Sequence, residues 1–441
     1  MPITNATLAP KETITAKMSR WAASLQYKDI SADAVYQAKR FLLDSLGCAL
    51  GGYQQHDVKI ALEVLDEIAA IGLATVIGSG RRIDPVSASL ANALMIRCMD
   101  YNDIYWKQDP SHPSDIFPAA IACCERASGN GKELIVGLVL GHEFEMRLCE
   151  AAFPGIRERG WHHATLTAFV SPIVAGRALH LSWEQIQHAI GISASRHCTL
   201  RAVTAGKLTM MKNTVDPMAT QSGVFAALLA KKGYSGPEHV IDGKEGLAHV
   251  FKPDWKLDLL TDGLGEYSIG SNPRHVATSP FTSYNYHGKG NFASMVDAVV
   301  LGATEVDANF NANVVTHSDG RLLYGIGGWQ NCLASGCTIL AVPSFRDRIP
   351  VIVDEVTTLC GPGELVDVVA TERGIAINPR RQDLIDAVKG STLPIRPIED
   401  IKKEVERICG GKSRRPQRSD KPVAIVKWVD GTVLDTVWQI A

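Results

Sequence analysis

The spacing of apolar residues changes once along this 441-residue chain, and that change constrains its fold more than any other feature. Up to about Ile269 the spacing is helical. The stretch "ADAVYQAKRFLLDSLGCALGGY" carries apolar side chains at 35, 38, 42, 46 and 49 and ends in Gly51-Gly52. "SWEQIQHAIGISAS" opens with Ser182 and Gln185, a capping-box spacing. "MATQSGVFAALLAKKGYSGP" is an alanine-rich helix closed by Gly233. From about Ser271 the runs become short and β-branched: "MVDAVVLGATEV", "CTILAVPSF", "RIPVIVDEVTTL" and "ELVDVVATERGIAI". Nearly continuous apolar character of this kind predicts strands buried on both faces of a parallel sheet. "RQDLIDAVKG" reads as a helix between strands, and the end alternates around Asp430-Gly431, a hairpin signal. The expected fold is therefore two-part. An all-α domain over 1–269 precedes an α/β half domain over 270–441, with a mainly parallel sheet and a C-terminal β-hairpin.

Composition narrows the function classes. The formal charge of −2 gives no sign of nucleic-acid binding. No apolar run reaches the length of a membrane span, and the N-terminus lacks a signal-peptide core, so a cytoplasmic protein is expected. The ten cysteines form no CxxC, which favours buried thiols over a zinc or iron–sulfur site. No Walker A sequence is present, and no GxGxxG follows a strand.

The acidic loop "CMDYNDIYWKQDPSHPSD" interrupts the helical half. Loops of this length between packed elements are uncommon unless they serve a function. Asp100 and Asp103 are three apart, and Pro113 restrains His112. Two roles fit: a hydrogen-bonded connector, or one wall of a site. "RERGWHHAT" adds His162 and His163 before a helix, and "RAVTAGKLTMMKN" adds Arg201, Lys207 and Lys212. Basic groups near helix starts suit a polycarboxylate, although a single lysine is usually a solvated surface residue.

Taken together and in order, "LLDSLGCALGG", "ATVIGSGRRIDPVSASLANALMIRCMDYNDIY", "HPSD", "RGWHHAT" and "KLTMMKN" resemble the MmgE/PrpD family over roughly 12–268. The family includes 2-methylcitrate dehydratase and cis-aconitate decarboxylase, and the HPSD form leans toward the dehydratase side. The resemblance implies an all-helical domain, often dimeric, with metal-free lyase chemistry on a small polycarboxylate. It carries catalytic roles to Asp100, His112, His162 and Lys212. Asp103 matches the family's acidic loop and, with Arg201 and Lys207, is expected to bind substrate. Asn102 stands where many members have a second aspartate.

The second half does not continue that family's lid. "SPFTSYNYHGKGNFASMVDAVVLGATEVDANFNANVVTHSDGRLLYGIGGWQNCLASG", with "RIPVIVDEVTTLCGPGELVDVVATERGIAINPRRQDL" and "VKWVDGTVLDTV", resembles the C-terminal part of the citrate lyase α chain, a citrate CoA-transferase, over roughly 271–441. That implies a CoA-transferase-like half domain. CoA or an acyl-carrier prosthetic group would meet the glycine loop at Gly325, Gly327 and Gly328, and the citrate lyase β chain and acyl carrier protein would be partners. The glycine loop serves equally as a tight turn. Three readings follow: an MmgE/PrpD-type hydro-lyase needing no cofactor, a citrate CoA-transferase, or an inactive fusion of two partial enzymes.

Overall fold

The computed structural model describes residues 12–206, 208–251, 254–265, 292–323, 325–428 and 430–440. The chain divides into two units, Met1–His275 and Val276–Ala441. The boundary expected at 269/270 and Lys207 both lie outside the described residues.

The first unit is built from helices α1 (Ile14–Ser24), α2 (Ala32–Gly52), α3 (His56–Ile68), α4 (Pro85–Arg97), α5 (Phe117–Arg126), α6 (Gly131–Ala151), α7 (Ala164–Ala178), α8 (Trp183–Ala194) and α9 (Val215–Lys231). Their starts follow from the local sequence. Ser31 Oγ accepts from the Ala34 amide and Asp84 from the amides of Val86 and Ser87, satisfying N–H groups that a helix start leaves unpaired. The expected capping box forms at Ser182 and Gln185. Gly233 takes the left-handed conformation, φ +88°, just beyond α9.

Helix α7 is buried along almost its whole length, as a helix that is apolar all round must be. Its packing against α9 depends on Gly223. A Cβ there would stand 2.4 Å from the Ser171 Cβ and 2.7 Å from the Pro172 nitrogen. The unit is not purely α: Ile71–Thr75 pairs with Arg82–Ile83 as a small antiparallel ribbon, filling the turn between α3 and α4.

The second unit has mixed sheets, in which the expected parallel pairing stands beside antiparallel strands. Its largest sheet has four strands. Thr338–Ala341 pairs parallel to Val299–Leu301 and Val368–Thr371, while Gly374–Ile377 returns antiparallel. The run "VVATERGIAI" is a hairpin turning at Glu372 and Arg373, where two charged residues favour solvent. Burial also alternates along Thr338–Ala341 and Gly374–Ile377, so these strands are not buried on both faces. A smaller sheet mixes a parallel pair, Ile352–Val353 with Glu305–Asp307, and an antiparallel one to Ala312–Asn313. The sheets are therefore mixed. The C-terminal hairpin forms as expected, Arg418–Lys427 against Val433–Ile440, with Gly431 at φ +93° in its turn. The basic stretch before it is the end of helix Ile398–Cys409, closed by left-handed Gly410, and the linker that follows. Among the described residues no helix is long and apolar enough to cross a membrane.

Candidate active site

The site gathers where the ends of α4, α7 and α9 meet the acidic loop. Helix α4 stops at Arg97, and the chain turns at Asp100, whose φ of +53° is a left-handed conformation that aspartate tolerates. That turn sets the Asp100 carboxylate between two cations, with Arg97 Nη1 donating to one oxygen and Lys212 Nζ to the other. The Lys212 turn is tied to the same loop, because Asn213 Nδ2 donates to the Cys98 carbonyl at 2.9 Å. Burial alone would raise the Asp100 carboxyl; the charges and hydrogen bonds of Arg97 and Lys212 outweigh it and bring it to about 2.

Farther along the loop, Asp103 and His112 hold one another. The Asp103 carboxylate accepts from the Ser114 amide at 3.1 Å, capping the 3₁₀ turn Pro113–Ile116, and its carbonyl lies 2.6 Å from His112 Nδ1. Burial pushes the Asp103 carboxyl up to about 6, against the Ser114 hydrogen bonds. His112 is also buried. Desolvation, then the charges of Arg97 and His163, bring its pKa down to about 3, so its ring is neutral. A carbonyl can only accept, so Nδ1 carries the proton and Nε2 keeps its lone pair. No described residue bonds that Nε2.

His162 has the opposite tautomer. Its Nδ1 accepts from the Ala164 amide at 3.2 Å, which leaves the proton on Nε2. Burial first, then the His163 charge, lower its pKa to about 4. His163 stacks on it with centroids 3.9 Å apart, and the His163 ring lies 5.5 Å from His112. His163 Nε2 faces Asp216 Oδ2 at 3.3 Å. Desolvation alone would raise the fully buried Asp216 carboxyl; the charges of His163 and Arg97 outweigh it and keep the carboxyl below the usual range. Arg97 Nε lies 3.4 Å from Asp115 Oδ2, so one guanidinium serves two acids. Burial keeps Asp115 well above the ordinary value, despite Arg97.

Among the described residues, His162, His163 and Asp216 form the one cluster whose possible metal-ligand atoms all lie within 4.8 Å of one another. As arranged, His162 spends its Nδ1 lone pair on a backbone amide and holds a proton at Nε2. That donor set carries protons, and a cation would have to displace the Ala164 hydrogen bond to gain its third ligand.

Of the sequence-expected residues, the structure places Asp100, Asp103, His112, His162 and Lys212 in this region. Arg201 is not brought into these contacts. It is exposed, and its guanidinium donates to the Arg157 carbonyl, because the 3₁₀ turn Arg201–Thr204 is tied to the 156–160 segment instead. Gly325, Gly327 and Gly328 belong to the second unit, in an exposed loop before the single turn Trp329–Cys332. Only Gly327, at φ +59°, needs glycine there. Arg97, Asp115 and Asp216 were not among the expected site residues, and His163 was expected only as the neighbour of His162, with no role of its own. A charged group within a helix of small apolar residues, as in "PVSASLANALMIR", is the signal that marks Arg97.

Comparison with known proteins follows the same division. The model of the MmgE/PrpD N-terminal domain matches residues 16–260, and that of the citrate lyase alpha subunit matches 256–440. A citrate lyase alpha chain of Haemophilus influenzae is 39% identical over 180 residues, 41% of this chain and 36% of that one. A cis-aconitate decarboxylase-like protein of Aspergillus oryzae is 31% identical, over 60% of this chain and 58% of its own. A mitochondrial 2-methylcitrate dehydratase of Yarrowia lipolytica is 30% identical, over 49% and 44%. The chain thus spans little more than a third of the citrate lyase chains it matches and about half of the others. With the first model matching more than half its length, the chain belongs to the MmgE/PrpD family, and its remaining part is similar to the citrate lyase alpha subunit.

Proposed function

We propose that the helical unit is a lyase that removes water from a 2-methylcitrate- or citrate-like hydroxy tricarboxylate without a metal. The observation that carries this reading is the pair of opposite tautomers. Elimination needs a base at a carbon next to a carboxylate and a donor at the departing hydroxyl. His112 Nε2 offers the lone pair, and His162 Nε2–H offers the proton. Both rings are held neutral, so neither has to lose a proton to solvent before acting. Lys212, anchored by Asp100 and a quarter exposed, is the cation that a substrate carboxylate reaches. Arg97 stays buried and positions Asp100. The motif order and relatives that include a dehydratase and a decarboxylase-like protein support the substrate class.

The test is formation of an unsaturated acid, followed by ultraviolet absorbance, from 2-methylcitrate or citrate with EDTA present. Water loss that survives EDTA and disappears in His112→Gln is expected. Release of carbon dioxide from an unsaturated acid, without water loss, would replace dehydration by decarboxylation.

A second reading rests on the 39% identity of the C-terminal part to a citrate lyase alpha chain. On it, the second unit would transfer citrate to or from CoA or an acyl carrier protein, beside a citrate lyase β chain. The acyl or pantetheine group would pass Gly325–Gly328. A Cβ at any of these three glycines would meet no atom within 4 Å, so the described loop forms no cradle by itself, and we assign it no step.

A further inference from the structure

A buried carboxyl lies behind the site and takes no part in the chemistry above. Glu145 is on α6 and fully buried. Its Oε1 accepts from the Ser111 hydroxyl and, at 3.1 Å, from Thr167 Oγ1, while its Oε2 is buried with no partner. The carboxylates that act on it are Asp216 from α9 and Asp103 from the loop; Asp115, itself protonated, and the neutral Cys149 thiol one turn along α6 interact with it, and His142, one turn back on α6, lies 3.8 Å from Asp103. A buried charge with neighbours of its own sign is strongly disfavoured, so the carboxyl keeps its proton. Thr167 Oγ1 also lies 3.4 Å from Asp216 Oδ1. One hydroxyl therefore bridges a neutral acid and an ionised one, and the ionised one faces His163.

We propose that Glu145 is a proton-holding residue that exchanges its proton, through Thr167, with the Asp216–His163 pair. It is a positioning residue, since it acts through others. In the step, the Thr167 hydroxyl turns its proton from Glu145 to Asp216 Oδ1, and a half-turn of the Glu145 carboxyl brings its own O–H to the Thr167 oxygen. The Glu145 O–H bond breaks as the Thr167 oxygen accepts that proton, and Thr167's own hydroxyl proton passes to Asp216 Oδ1. Glu145 becomes the carboxylate, Asp216 the acid, and the reverse step resets them. No electrons move and no co-reactant is needed. Use of the exchange in turnover rests on the lyase reading, in which one proton is taken and another given inside a buried site.

Two measurements decide the proposal without any substrate. Infrared spectra of the full chain should contain the carbonyl band of a protonated carboxyl at pH 6.5. The band should fade as pH rises through about 8, the value to which burial, with Asp216 and Asp103, pushes Glu145. It should be missing from Glu145→Gln, which keeps the shape and the hydrogen bonds. The nuclear magnetic resonance signals of the His163 ring should shift with that same ionisation in the wild type and in Thr167→Ser. They should not shift in Glu145→Gln or Thr167→Val. A band unchanged by Glu145→Gln, or His163 signals blind to Glu145, overturns the proposal. Where dehydration is also observed, Glu145→Gln should lower kcat about 10–100-fold with KM unchanged and flatten the pH profile near 8. Wild-type kcat in that variant would reject the exchange in turnover, whereas a wild type without dehydratase activity rejects the lyase reading alone.

Discussion

The Asp100 carboxylate is held by two cations at once, and this fixes what its removal should do. In Asp100→Asn the amide keeps the shape but not the charge, so Lys212 loses its ionic anchor and Arg97 is left with Asp115. We expect kcat for dehydration to fall about 100-fold with the fold intact, as read by circular dichroism and steady-state kinetics. The neutral histidines make a second prediction. His112 and His162 bind protons near 3 and 4 in the native protein and near their ordinary 6.5 when unfolded. Above 6.5 both states hold them neutral and the stability is complete. As pH falls below 6.5 the unfolded chain takes up protons first, so stability drops toward pH 4 and 3. The midpoint temperature should therefore fall between pH 7.5 and 4.5, and fall less in His162→Gln. Asp100, His112, His162 and Lys212 each stand in an irregular stretch, but it is the family resemblance that singled these four out from their neighbours there. Asp216 and Glu145 could not be read from the sequence, because each sits within a helix whose pattern reads only as a core face, and their neighbours come from other helices.

Helices α7 and α9 carry His163 and Asp216 to one another, so the spacing between the helices sets that contact. Gly223 is where they touch most closely, against Ser171 and Pro172. Gly223→Ala should separate the helices and cost about 1–3 kcal/mol in a denaturant titration. It should also loosen the 3.3 Å approach of His163 to Asp216, seen as a change in the chemical shifts of the His163 ring. The sequence announced close-packed helices through its many small residues, and two of their ends through Ser182 and Gly233. Strand direction was less legible. Apolar β-branched runs report burial, but "VVATERGIAI" holds its turn in two charged residues without glycine-asparagine chemistry, so a hairpin reads as one buried strand.

Each unit has its own apolar core. Phe144, Leu140 and Ile173 belong to one, and Val306, Leu340, Ile401 and Val405 to the other. That separation lets the two proposed activities be tested by substitution. Ile401→Ala removes a fully buried side chain of the second core, at about 2–5 kcal/mol, and Lys212→Ala removes the accessible cation of the first unit's site. Calorimetry of Ile401→Ala should show the loss in the transition that carries the second core. If the lyase reading holds, water loss survives Ile401→Ala below that transition and disappears in Lys212→Ala. Citrate exchange with CoA, where present, should survive Lys212→Ala and be lost in Ile401→Ala once the second core melts. Dehydration untouched by Lys212→Ala would remove the first unit's cation from the chemistry, and with it the lyase assignment to this site.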